Sequence, residues 1–101
     1  MAKGSLQKYL LKQLKEVDCL AWSNNATGIG MRGIPDVTVI TYNMVLYIEV
    51  KDATTKDKLT KLQEYRINQI ENYGHQVYVC RTYDDARFIT AVVKQESGMI
   101  K

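Results

Sequence analysis

Two β-branched runs, Asp36–Tyr42 and Val45–Lys51, flank Asn43-Met44 and constrain the fold more than anything else in the chain. Val, Ile, Thr and Tyr suit a pleated, half-buried surface, so the pair reads as a β-hairpin. With Asn43-Met44 as a two-residue turn, Val37 lies opposite Val50, Val39 opposite Ile48, and Thr41 opposite Leu46. That face is almost wholly apolar, as a core face must be. The other face pairs Asp36 with Lys51, Thr38 with Glu49, Ile40 with Tyr47, and Tyr42 with Val45. Asp36, Glu49 and Lys51 therefore gather at one end of one face. A slip by one residue would scatter them and turn the apolar set towards solvent.

The flanking sequence supplies layers for this hairpin. Leu6, Leu10, Leu14 and Val17 recur at helical spacing behind Ser5, a good N-cap, predicting a helix over about 5–17. On it Lys8, Lys12 and Lys15 form one stripe, offset from the leucines. Residues 19–22 read as a short strand and 24–33, with Gly28, Gly30 and Gly33, as a loop. A second helix is expected over about 57–73, closed by Gly74 as a C-cap. Its apolar stripe is Leu59, Leu62, Ile70 and Tyr73, and Gln63 and Arg66 fall within that stripe. Residues 76–81 read as a strand; Thr82, Asp84 and Asp85 open a last helix bearing Phe88, Ile89, Val92 and Val93. The order α-β-β-β-α-β-α predicts an α/β fold, a mixed central sheet flanked by helices. No repeat or linker divides it, so 1–101 reads as one domain.

Charge and cysteine content narrow the classes. The net charge of +3 lies entirely in the first third, where Lys3, Lys8, Lys12, Lys15 and Arg32 face only Glu16 and Asp18. Such an asymmetry fits a polyanion-facing surface or, more commonly, a solvated helix face. The longest apolar run, Met44 to Ile48, is too short to span a bilayer, and no signal segment opens the chain. Cys19 and Cys80 lie in apolar contexts and read as reduced core thiols. These features argue against secretion, membrane insertion and a structural zinc site. His75, the single histidine, sits at a helix–strand turn and reads as solvated or capping. The loop glycines form no P-loop, since no Gly-Lys-Ser/Thr follows them.

Two carboxylates on one face repel each other unless a cation lies between them. Hard oxygen donors such as Asp36 and Glu49 suit Mg²⁺ or Mn²⁺, which accepts phosphate oxygens while keeping several waters. Lys51, two residues after Glu49, can point into the same place and stabilise charge developing on a phosphate. The competing reading is a surface Asp36–Lys51 pair with Glu49 simply solvated.

Gly33-Ile34-Pro35-Asp36 followed by Glu49-Val50-Lys51 resembles the PD-(D/E)xK nuclease signature. With Tyr47-Ile48 before Glu49, Gln63 in the next helix and Gly74-x-x-Val77-x-Val79, the set is similar to the VRR-NUC branch, the virus-type replication-repair nucleases. The resemblance runs from about Leu6 to Arg81 and implies a restriction-endonuclease-like core. It implies that Asp36, Glu49 and the Val50 backbone carbonyl bind the divalent metal, Mg²⁺ or Mn²⁺. Lys51 would assist the attacking water, and Gln63 matches the glutamine beside the family's active site. The chain departs from the pattern at Gln7, where many members carry a glutamate, which puts a two-metal arrangement in doubt.

The resemblance further implies a metal-dependent DNA endonuclease whose products carry a 5′-phosphate and a 3′-hydroxyl. A chain of 101 residues leaves no room for a separate DNA-reading domain, so selectivity is expected from DNA shape or dimerisation. Small stand-alone members behave as junction resolvases, which points to a homodimer on branched DNA, a four-way (Holliday) junction above all. They occur in viruses and mobile elements, so a phage-type protein in host cytoplasm, with no membrane partner, is expected. The alternatives are a flap or nicking endonuclease, an exonuclease subunit of a repair complex, or a non-catalytic DNA-binding module. Lys8, Lys12, Lys15, Arg32 and Arg66 are the candidates for phosphate contacts.

Overall fold

The computed structural model of the chain describes residues 3–24, 31–53 and 58–97. Its elements run α1 (Lys3–Leu14), β1 (Leu20–Ser23), β2 (Val37–Ile40), β3 (Val45–Val50), α2 (Lys61–Asn72), β4 (Gln76–Cys80) and α3 (Tyr83–Glu96). The four strands form one sheet in the order β1-β2-β3-β4. β1–β2 and β2–β3 pair antiparallel, whereas β3–β4 pair parallel with α2 as the crossover. This is the mixed sheet that the sequence predicts, in the predicted order of elements.

One face of the sheet carries the core. Val37, Val39, Leu46, Ile48, Val50 and Cys80 pack with Leu6, Leu10 and Leu14 of α1 and Ala86, Ile89 and Val93 of α3. All of these are essentially inaccessible to solvent, and their burial is the main source of stability. The opposite face carries Thr38, Tyr47 and Glu49, and α2 comes to it at the Glu49 end, next to β4.

The hairpin register differs from the expected one by two residues. Val37 pairs with Ile48, Val39 with Leu46 and Ile40 with Val45. The turn is centred on Tyr42-Asn43, not Asn43-Met44, because Thr41 organises it. The Thr41 N–H donates to the Met44 carbonyl (2.8 Å), and the Thr41 hydroxyl accepts from the N–H groups of Asn43 and Met44 (3.2 and 3.1 Å). A two-residue shift preserves the side-chain alternation, so the apolar face is the predicted one. It changes the neighbours on the other face, bringing Asp36 level with Glu49 in place of Lys51.

Several boundaries and faces also move. α1 begins at Lys3, so Ser5 lies inside the helix and is not its N-cap. It ends at Leu14, where Val17 N–H and Cys19 Sγ both reach the Leu14 carbonyl. α2 starts at Lys61 behind Thr60; Asp57 lies outside the described residues, as do Gly28 and Gly30. No α2 side chain is fully buried and Tyr73 is exposed, because this helix crosses at the margin of the sheet. Phe88 is likewise exposed, leaving Ala86, Ile89 and Val93 as the buried stripe of α3. Gly74 acts as expected. At φ +90° it follows the C-cap Tyr73; its N–H bonds the Glu71 carbonyl and the His75 N–H bonds that of Ile70, a Schellman closure.

Candidate active site

The segment before β2 is fixed in place before any charged group is considered. Gly33 has φ +81°, and a Cβ there would come within 2.6 Å of Leu62 Cγ, so only glycine lets this loop pass under α2. Pro35 follows, buried. Asn24 holds the turn into β2 with three bonds. Its amide Nδ2 donates to the Pro35 carbonyl (3.0 Å) and Thr38 Oγ1 (2.8 Å), and its backbone N–H donates to the Asp36 carbonyl (2.8 Å). Nothing in the sequence marked Asn24 beyond its place in a glycine-rich loop.

Asp36 emerges from this support with its carboxylate buried. Its Oδ2 accepts the Val50 N–H (2.8 Å), a donor lying past the end of the β2–β3 ladder. Its Oδ1 lies 3.3 Å from Lys3 Nζ. Glu49, 1% exposed, projects from the opposite face to Ile48 and Val50. Its Oε2 accepts from Gln63 Nε2 (3.0 Å) and lies 3.9 Å from Lys51 Nζ. Lys51 is itself buried, and its backbone N–H is tied to the Cys80 carbonyl at 2.9 Å. β2, β3 and α2 thus bring Asp36, Glu49, Lys51 and Gln63 together.

Gln63 is aimed by the helix start. Thr60-x-x-Gln63 closes a capping box: Thr60 Oγ1 accepts the Gln63 N–H (3.1 Å) and Gln63 Oε1 accepts the Thr60 N–H (2.9 Å). With its oxygen engaged, the amide has only its NH₂ group to offer Glu49. The Thr60-x-x-Gln63 spacing is legible in the sequence, but a helix expected from about residue 57 puts both residues in its interior, whereas Thr60 is the N-cap.

The electrostatics are those of a crowded anion pair. Burial raises Glu49 most, the Asp36 carboxylate beside it and a hydrogen bond between the two raise it further, and Lys3 and Lys51 only partly offset this. The Glu49 carboxyl is pushed up to about 7. Two adjacent hard-oxygen donors of this kind fit Mg²⁺ or Mn²⁺. Among the described residues, no set of three or more His, Cys, Asp and Glu could hold a metal, so such an ion would rely on Asp36, Glu49, backbone oxygen and water.

The other expected residues sit elsewhere. Lys8 and Lys12 are exposed on the side of α1 away from its buried leucines, whereas Lys15, expected on the same stripe, lies exposed in the turn just past the end of the helix at Leu14. Arg32 is exposed, and its carbonyl accepts from Arg66 Nε at 3.0 Å. Arg66 is further engaged by Gln69 Oε1 (3.1 Å), so it braces the Gly33 loop against α2. Gln7, where the resemblance leads one to expect a glutamate, donates to Ser23 Oγ (3.0 Å). The residue of α1 that reaches the carboxylates is Lys3, one turn earlier, which sequence reasoning counted only as charge. A 620 Å³ cavity bordered by Tyr42, Asn43, His75 and Glu96 lies at the hairpin end of the sheet, away from this site.

No protein-family model and no curated protein matches the sequence. A solved structure described as a VRR_NUC domain is similar over 88% of this chain and 94% of that one, with a TM-score of 0.73 at 21% identity. The chain therefore has the fold of a VRR_NUC domain.

Proposed function

We propose that the chain is a metal-dependent deoxyribonuclease that cuts branched DNA, four-way junctions above all, as a homodimer. The observation that carries this reading is the convergence of Asp36, Glu49, Lys51 and Gln63 at one end of a VRR_NUC-like sheet. Asp36, Glu49 and the Val50 carbonyl would hold Mg²⁺ or Mn²⁺, which supplies charge stabilisation on the scissile phosphate and an acidified water. Lys51, kept close by Glu49 and by its backbone bond to β4, orients the attacking water and stabilises charge on the phosphate. Attack by this water, whose proton passes to solvent, forms a new P–O bond and breaks the P–O3′ bond. The departing oxygen takes a proton from solvent, leaving a 5′-phosphate and a 3′-hydroxyl. Gln63 holds Glu49 by hydrogen bonding to its Oε2. Two copies would double the basic surface, with Lys8 and Lys12 of α1, Lys15 just beyond it and Arg32 of the loop before β2 as sequence-independent phosphate contacts.

The decisive experiment presents matched four-way, flap, nicked and linear DNAs with Mg²⁺, Mn²⁺ or chelator. Cutting is expected on the branched substrates with either metal and none with chelator. Asp36→Asn and Glu49→Gln should each abolish cutting while DNA binding persists. If Asp36→Asn cuts as well as the wild type in Mg²⁺, the assignment is wrong.

A further inference from the structure

Lys3 stands apart from the other lysines of α1. Leu6, Leu10 and Leu14 fix the helix on the sheet, and this docking carries its first turn to the start of β2. There Lys3 Nζ lies 3.3 Å from Asp36 Oδ1, while Asp36 Oδ2 is committed to the Val50 N–H. The two side chains differ in accessibility: Lys3 is 40% exposed and Asp36 7%. Lys3 is thus the solvent-facing member of the pair, on an unbranched stem free to turn outward. It contacts the same carboxylate that the proposed cation would use. An ammonium and a divalent cation cannot both sit against one oxygen without strong repulsion.

We propose that Lys3 is a displaceable internal counter-ion. It holds Asp36 in the cation-free protein, competes with the divalent cation for that carboxylate, and turns to a DNA phosphate once displaced. This rests on reading Asp36 and Glu49 as the cation ligands. The pairing keeps the buried carboxylate compensated between turnovers and couples cation loading to the release of a phosphate-binding group at the mouth of the site.

The test measures Mn²⁺ binding without DNA, by calorimetry and electron paramagnetic resonance, on wild type, Lys3→Met, Lys3→Arg and Asp36→Asn. Lys3→Met should bind Mn²⁺ roughly fivefold more tightly, the size expected on losing one half-exposed competing ion pair. Lys3→Arg, which keeps the charge, should stay near wild type and serves as a second folded variant. With Ca²⁺ in place of the active metals, Lys3→Met should also bind junction DNA with a log–log salt slope smaller by about 0.9, one phosphate contact fewer. A Mn²⁺ affinity for Lys3→Met at or below wild type, or an unchanged salt slope, overturns the proposal. Asp36→Asn reports separately on the underlying reading: if it binds Mn²⁺ like wild type, the metal site itself is misassigned.

Discussion

Glu49 is held where an ionised carboxylate is costly, and that cost gives the residue a measurable signature. The folded protein raises its pKa from the ordinary 4.5 to about 7, with burial as the leading cause and the neighbouring Asp36 next. The folded state therefore binds this proton more tightly than the unfolded chain. Unfolding free energy should fall as pH rises from about 4.5 to about 7 and level off above that window. The expected loss in chelator is about 3 kcal/mol, from 1.36 kcal/mol per pKa unit. Urea titrations between pH 4.5 and 8 check this. Glu49→Gln should flatten the profile, and a profile equally steep in that variant would place the titration elsewhere. Saturating Mn²⁺ should flatten the wild-type profile too, since a cation favours the ionised form.

At the scale of elements, the start of α2 is joined to the candidate site by one short motif. The capping box of Thr60 and Gln63 satisfies two N–H groups at the helix start and leaves the Gln63 NH₂ directed at Glu49. Thr60→Ala should therefore cost about 1 kcal/mol of stability, the usual price of a lost N-cap. It should also lower cleavage well beyond what that destabilisation explains, because Gln63 loses its anchor. Melting curves and single-turnover rates on the same variant separate the two effects. Gln63→Ala, tested alongside, should lower the cleavage rate at least as far. Equal rates for Thr60→Ala and wild type would show that the capping box does not position the site.

For the whole molecule, the feature that stands out is the outer face of the sheet over β1 and β2, which is apolar and exposed among the described residues. There Leu20 (61%) and Ile40 (38%), paired at the end away from Asp36, and Trp22 (41%), opposite Thr38, are exposed. On the proposed dimeric reading this group would be the association surface, since a two-fold copy would cover the patch of each chain with that of the other. Trp22→Glu is expected to halve the mass measured by light scattering, with the far-ultraviolet spectrum unchanged. It should also reduce junction cutting more than the cutting of simpler substrates. A monomeric wild type under the same conditions would remove dimerisation from the functional reading.

The order of elements and the composition of the core face were legible in the chain itself. Both follow from local rules: the 3.6 and 2.0 periods, and the Gly74 stop. The grouping of Asp36, Glu49 and Lys51 was legible for the same reason, since a register error of two residues leaves every side chain on its own face. The register itself was decided by three bonds to Thr41, which no hydropathy pattern encodes. Tertiary structure alone carried Lys3 to Asp36 and Asn24 to Pro35, turned Arg66 onto the Gly33 loop, and left Tyr73 and Phe88 in solvent. Each of these depends on how one element docks on another. Sequence periodicity sets which side of an element faces inward, but the docking of whole surfaces decides which residues meet across the gap.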